Sequence, residues 1–363
     1  MKILYSYILK ELIQPFLFGV FAFTGIFIGS DILRRIGNYM MDYGISIIQA
    51  LQLLFLSLPP IIVYTFPMSM LLASLLCFGR LSGDSEIIAM KAGGVSFFKI
   101  VTPVLIVALL VSGATILFND TLVPLSVEVY EDMRHEIRHG EQRPSSQDNL
   151  RIAPSSSGRL DFILTADRFD GDEQTLEGVA WQDYQDGQLE SIIQAERGIW
   201  KDGEWIFLDG IVYNISSDGR IPRTEFSEFS MQDRITRNPG QISRRSKDPE
   251  EMSLANLREH INLREEEGEN VKELLIDYHH RFAIPFASFI FALVGASLGL
   301  QRSRSGSSMG LGFSIVIVFI YYVLMTVGSA LGQAGTIAPW LGAWLQNFVF
   351  AAVGFGLLFK AAK

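Results

Sequence analysis

The sequence predicts a polytopic α-helical membrane protein of six transmembrane helices, with a strand-built domain inserted outside the membrane between the third and the fourth. Three observations carry that reading. The 363 residues are 49% hydrophobic and only 19% charged, with a mean hydropathy of +0.27, against about 25% charged in an ordinary soluble domain. Charge is also unevenly placed: residues 121–280 hold 18 of the 30 Lys/Arg and 33 of the 39 Asp/Glu, a net of −15, and the remainder carries +6. Finally, uncharged runs at 12–30, 43–79, 100–119, 282–301 and 305–359 match or exceed the ~20 apolar residues needed to cross a ~30 Å hydrocarbon core. This distribution excludes a cytosolic enzyme, a disordered chain and a nucleic-acid binder, whose mark is a basic domain. Cys77 is the single cysteine, so no intrachain disulfide can form.

The first run follows a basic start, but it is too long for a signal peptide and no A-x-A site follows, so it is expected to remain as a spanning helix. The 37-residue run from Tyr43 reads either as one long helix with an interfacial lead-in or as a hairpin turning at Pro59-Pro60. The positive-inside rule decides for one span. Six spans put Lys2, Lys10, Arg80, Lys91, Lys99, Arg302, Arg304, Lys360 and Lys363 on one side, with only Arg34 and Arg35 in the short opposite loops. Both termini are then expected in the cytoplasm. The 55-residue run breaks at Gly332-Gln-Ala-Gly-Thr-Ile-Ala-Pro339 into two helices. Domains are expected at 1–120 (spans one to three, with a coupling helix at about 82–93), 121–270 (external) and 271–363 (spans four to six).

In the external block, Leu160, Phe162, Leu164 and Ala166 alternate with Asp161, Ile163, Thr165 and Asp167, the period-2 pattern of a half-buried strand. Asp186-Gly187, Asp202-Gly203 and Asp218-Gly219 supply turn residues. Long antiparallel strands in a sandwich, jelly roll or open barrel are expected, with Trp181, Trp200 and Trp205 in the core or at its rim. Segment 235–252 reads as a linker. Ser253 then caps an amphipathic helix with a Leu254, Leu257, Ile261, Leu263 stripe, ended by Gly268.

No G-x-x-x-x-G-K-[ST] occurs, so any ATP-driven work needs a separate subunit. His135-Glu136-Ile137-Arg138-His139 spells the zinc-protease motif H-E-x-x-H. Charges surround it, however, and no third ligand is evident, so it reads as a solvated helix continuing the third span. The loop Gly79-Arg80-Leu81-Ser82-Gly83-Asp84-Ser85-Glu86-Ile87-Ile88-Ala89-Met90-Lys91-Ala92-Gly93-Gly94 carries more information. Ser82, Asp84 or Ser85 can cap a short helix and Gly93 can end it in αL. Such a helix presents Ile87, Ile88 and Met90 with Glu86 and Lys91, and is suited either to a groove on a partner or to the lipid surface.

This loop resembles the coupling segment of the LptF/LptG permeases, the membrane halves of the lipopolysaccharide-export ABC transporter. Tyr7-Ile8-Leu9-Lys10-Glu11-Leu12, Leu58-Pro59-Pro60, Phe66-Pro67-Met68-Ser69-Met70-Leu71-Leu72, Arg281-Phe282-Ala283-Ile284-Pro285 and Ala338-Pro339-Trp340-Leu341-Gly342-Ala343-Trp344 are similar to that family as well. The resemblance implies an inner-membrane permease pairing with a second permease subunit of this type and with a cytoplasmic ABC ATPase dimer. It would extract lipopolysaccharide and pass it through a periplasmic β-jellyroll-like domain to jellyroll bridge proteins, for export to the outer membrane. It implies no cofactor in this chain, ATP and Mg being bound by the ATPase. Asp84, Glu86, Ile87, Ile88 and Met90 would then couple to that ATPase. The first and fifth spans would line lateral gates, with Phe313, Tyr321 and Tyr322 at the cavity or gate.

Arg34 and Arg35 run against the charge bias at the depth of the outer headgroups, where cations suit the phosphates of an anionic lipid or serve as interfacial anchors. His279, His280 and Arg281 lie at similar depth and take the same two readings. Leu160, Phe162 and Leu164 are expected to take acyl chains between the sheets of the external domain. The competing readings are an ATPase-independent permease or assembly factor for another lipid, and a membrane zinc protease.

Overall fold

A computed structural model describes residues 2–140, 146–156, 159–171, 173–185, 188–215, 221–232, 235, 238–244, 247–300 and 307–362. Two compact units result, Met1–Gly140 with Lys272–Lys363, and Glu141–Val271. The first twenty residues of the acidic block therefore belong to the helical unit.

Helix α1 (Lys2–Phe27) passes through a five-residue π turn (Ile28–Ile32) into α2 (Leu33–Tyr43), which ends on Gly44 at φ +65°. A separate helix, α3 (Ile47–Leu56), follows. Ser46 Oγ accepts from the Gln49 N–H and Gln49 Oε1 from the Ser46 N–H, a reciprocal cap that starts it cleanly. Then comes α4 (Leu58–Gly83), with Pro59 and Pro60 in the first turn, where a missing N–H leaves no bond unmade. The 43–79 run is thus neither one continuous helix nor a spanning hairpin: a ten-residue helix leads into a single full span. The short α5 (Glu86–Ala92) and the 43-residue α6 (Phe97–His139) complete the first half. Among the described residues, six helices are long and apolar enough to cross a membrane.

The second unit holds β1 (Gln147–Ile152), β2 (Ser155–Ser156), β3 (Arg159–Leu160), β4 (Phe162–Asp170), β5 (Thr175–Gln185), β6 (Gln188–Lys201), β7 (Glu204–Asn214) and β8 (Arg223–Ser230). Its main sheet is antiparallel throughout, in the order β1-β4-β5-β6-β7-β8, and β2 pairs with β3. The described strands thus make one long sheet and a two-residue ladder; two packed sheets are absent from them. Asp202 and Gly203, both at positive φ, form the two-residue turn between β6 and β7, as the right-handed twist of a tight hairpin requires. The turns expected at Asp186-Gly187 and Asp218-Gly219 lie outside the described residues.

Inward alternation does not run straight through this sheet. Leu164 and Ala166 are buried on β4, but so is Phe169; on β6 the sequence is Ile193, Ala195, then Gly198. Pairs of exposed neighbours at 167–168, 177–178, 196–197 and 227–228 mark the slip. They fall on one line across the sheet, where the ladder skips Asp167, Gly178, Glu196, Asp209 and Ser227 while register is kept on either side. Gly178 (φ +61°) and Asp209 (φ +50°) supply the local reversals. The unpaired residues are equal in number on neighbouring strands, so the register holds and one face stays apolar on both sides of the line. That face holds Trp181, Trp205, Phe169 and Phe207, all fully buried.

Segment 235–252, expected as a linker, is structured. Ile235 and Ile242 pack into the sheet core, α7 (Pro239–Arg244) forms, and a 3-10 turn at Pro249–Glu251 buries Met252. Next is α8 (Leu254–Glu266), capped by Ser253 Oγ accepting from the Asn256 N–H and closed at Gly268 (φ +71°); Leu257 and Ile261 are its buried residues from the expected stripe, with Leu254 and Leu263 half-buried.

The chain returns to the helical unit as α9 (Lys272–Leu300), α10 (Ser307–Gln333) and α11 (Pro339–Ala362). Helices α4 and α9 form its centre, each with 78% of its apolar window buried, against 11% for the first span and 22% for α10. The first span and α6 exceed 40 residues, about 60 Å at ~1.5 Å per residue, twice a hydrocarbon core. Their far ends pack with α3: Ile36, Tyr39, Ala50 and Leu53 against Tyr130, Met133 and Ile137.

Candidate functional site

Six spans bring the start of α1, α5 and the end of α11 to one end of the bundle; Arg302 and Arg304, expected there, lie outside the described residues. At this end α5 is held by identifiable groups. Ile87 is buried in a cluster with Ile8, Leu12, Leu81 and Phe97, and Met90 packs against the same cluster. Tyr7 Oη donates to Glu86 Oε1 at 3.0 Å. Arg80 pairs with Glu11, and its Nε lies 3.6 Å from Asp84 Oδ2. The Lys91 ammonium sits 5.3 Å from the centre of the Phe97 ring. None of the three expected side-chain caps operates: Ser82 lies inside α4, where its Oγ donates to the Leu300 carbonyl at 3.1 Å, and Ser85 holds the N-cap position at φ +59° without a side-chain bond. Gly93 has φ −77° and Gly94 (φ +79°) makes the left-handed exit.

These contacts sort the five residues proposed for coupling. Ile87 faces inward, Glu86 and Met90 are half-buried, and Asp84 and Ile88 are exposed, Ile88 by 67%. With Ala89 and Ala92 also exposed, the free face of α5 is a small apolar strip centred on Ile88. Tyr7 was not singled out from the sequence; its place four residues before Glu11, on the same helix face, is the signal that could have found it.

At the other end, Arg34 and Arg35 both pair with Asp31, Arg34 Nη2 to Oδ1 at 3.2 Å and Arg35 Nε to Oδ2 at 2.8 Å. All three are substantially exposed. The net charge is therefore +1 rather than +2, and the i,i+3 and i,i+4 spacing from Asp31 already announced it. The H-E-x-x-H segment lies in α6, with Glu136, Arg138 and His139 exposed and His135 and Ile137 half-buried. Ile137 and Met133 pack towards α2 and α3, Arg138 donates to Tyr39 Oη at 3.2 Å, and the His135 and His139 rings stack 4.3 Å apart. Among the described residues no three His, Cys, Asp or Glu side chains gather for a metal ion.

His279, His280 and Arg281 are half-buried on α9, with His280 Nε2 3.5 Å from Ser329 Oγ on α10. Tyr321 is buried, its hydroxyl donating to Asn347 Oδ1 at 2.9 Å, while Asn347 Nδ2 donates to the Ala283 carbonyl at 2.8 Å. This chain of bonds ties α10, α11 and α9 together. Tyr322 is half-buried against Tyr64, and Phe313 stands exposed on α10. In the sheet unit, Leu164 is sealed in the core, Phe162 stacks on Trp181 with centroids 3.9 Å apart, and Leu160 is exposed. The gap between two sheets expected to admit acyl chains is not found among the described strands; Met231, Ile235 and Ile242 pack into the apolar cluster instead.

The family model described as lipopolysaccharide export system permease LptF/LptG matches residues 6–360. Among curated proteins, the lipopolysaccharide export system permease protein LptG of Escherichia coli K12 is 22% identical over 355 residues, covering 95% of this chain and 93% of that one. The protein of the same name from Haemophilus influenzae is 23% identical, covering 90% and 88%. An uncharacterized protein of Rickettsia prowazekii, RP871, is 26% identical over 121 residues, a third of each chain.

Proposed function

Because the chain belongs to the lipopolysaccharide export permease LptF/LptG family, we propose that it extracts lipopolysaccharide from the inner membrane and passes it to a periplasmic bridge, driven by a separate ATPase. The chain itself is a multi-pass inner-membrane transporter subunit and not an enzyme. Its partners in this reading are a second permease of the same type and a cytoplasmic ATPase dimer that binds ATP and Mg. Both termini and α5 face the cytoplasm, and residues 141–271 the periplasm.

The observation that carries the reading is α5: a short helix pinned on one side by Ile87, Met90 and Glu86, with Ile88, Ala89 and Ala92 left outward. A pinned helix with a free apolar strip fits a groove on a partner. Supporting it are the lipid-exposed faces of α1 and α10, the two spans with most room for a second permease. Arg34 and Arg35, sharing one carboxylate, serve as weak headgroup contacts, with Arg281 at similar depth. Phe313 lies on the gate face of α10, with Tyr322 behind it. Leu160 is the accessible member of the sheet trio; an acyl chain reaching Phe162 or Leu164 must first part the Phe162–Trp181 stack.

The test is Ile88→Asp in the chain co-expressed with the encoded ATPase and second permease. Co-purification of the ATPase should be lost while the second permease is retained. Unchanged capture removes α5 as the dock.

A further inference from the structure

We propose that Tyr7 is a positioning residue that makes the first span follow the docking helix, a reading that rests on α5 being the ATPase dock. The Tyr7 hydroxyl reaches across 79 residues of sequence to Glu86, in a partly buried bond of 3.0 Å. Tyr7 and Glu11 lie one turn apart on the same face of α1, and Glu11 pairs with Arg80 at the end of α4. The end of α1 is therefore tied twice: to the docking helix, α5, through Tyr7, and to the buried centre, α4, through Glu11.

Two further features give the Tyr7 bond its importance. The first span is the least buried of the six, 11% of its apolar window against 78% for α4, and the face it does bury lies on α4, through Ile8, Leu12 and Gly19. Ile8, Leu12 and Ile87 belong to one apolar cluster, whose packing is non-directional and leaves one helix free to slide past the other. A hydroxyl–carboxylate bond is directional and weakens steeply when bent. It resists sliding as well as separation. Glu86 is also suited to hold Tyr7 and a docked partner together, since a carboxylate accepts through four lone-pair sites and Tyr7 takes one.

The experiment uses the full complex of both permeases and the ATPase in proteoliposomes, reading ATP hydrolysed and lipopolysaccharide moved in the same sample. Tyr7→Phe should leave ATPase capture and hydrolysis within about twofold, while lipid moved per ATP falls about tenfold, the size of effect expected on losing a hydrogen bond to a charged group. Replacing Tyr7 by p-aminophenylalanine, which keeps the ring and a donor, should restore the ratio. An unchanged ratio in Tyr7→Phe overturns the proposal, as does failure of the amino analogue to rescue. Loss of ATPase capture in Tyr7→Phe also overturns it, because Tyr7 would then serve docking alone. Ile88→Asp is run alongside: if that variant still captures the ATPase, the docking reading itself has failed, whatever Tyr7 does.

Discussion

Helices α4 and α9 are as apolar as the first span and α10, yet the first pair is mostly buried in protein and the second mostly bare. The difference lies in small residues. Where α9 crosses α4, Gly295 faces Ser74 and Leu71, and Gly299 faces Phe78 and Leu75; Ser288 and Ser297 are fully buried alongside. α1 and α10 make such crossings on one side, Gly19 against Ser69 and Gly328 against Gly342, and elsewhere carry Phe18, Phe21, Ile26, Val316, Phe319 and Val323, all exposed. In a bilayer, lipid tails satisfy a leucine as well as protein does, so close approach of backbones decides which helices pack. Hydropathy locates the membrane; side-chain size locates the protein within it.

That contrast can be broken by placing bulk at the crossing. A Cβ on Gly299 would sit 2.9 Å from Phe78 Cβ and 3.0 Å from the Leu75 carbonyl, so Gly299→Leu should cost about 3 kcal/mol, the upper range for overpacking. The same change at Gly312 of α10, where nothing lies within 4 Å, should leave the thermal midpoint in detergent nearly unmoved. Equal losses at the two sites would end the distinction. A smaller effect sharpens it: Asn347→Ala removes the partner of Tyr321 and of the Ala283 carbonyl, for an expected ~2 kcal/mol, read as a lower midpoint in denaturant. The smallest belongs to the bare faces. Phe21→Ala and Phe319→Ala should shift the isolated subunit by no more than ~0.5 kcal/mol, while reducing capture of the second permease; unchanged capture from both would leave those faces to lipid.

Spans and their number were legible because a charge-free run of 20 residues has few alternative fates. Facing was not. The 80–94 loop announced a helix through its polar start and paired glycines, but which of Ile87 and Ile88 points outward depends on where α4 stops, and α4 runs through Ser82 to Gly83. Gly94 rather than Gly93 takes positive φ for the same reason: the final turn is placed by the packing of Met90 and Val95. In the sheet, alternation was correct over 164–166 and misleading beyond Asp167, because a line of unpaired residues shifts the buried parity on several strands at once. The 235–252 segment looked polar because Ile235, Ile242 and Met252 are its only large apolar residues, too few to mark a helical or strand period.

The π turn at Ile28–Ile32 sets the bearing of everything beyond it. An α-helix advances ~100° per residue, so a widened turn holding one residue more than usual rotates the outer stretch by about that angle. The rotation aims Ile36 and Tyr39 at the buried contact with α3 and α6, while Arg34 and Arg35 stay outside. Removing one residue between 28 and 32 would let the turn close as regular helix with those side chains still facing their partners, whereas removing one from a regular stretch of the helix would swing them through about a quarter of a circle. The widened turn is thus the one place in this span where the loss of a residue is absorbed, and everywhere else such a loss re-aims the helix beyond it.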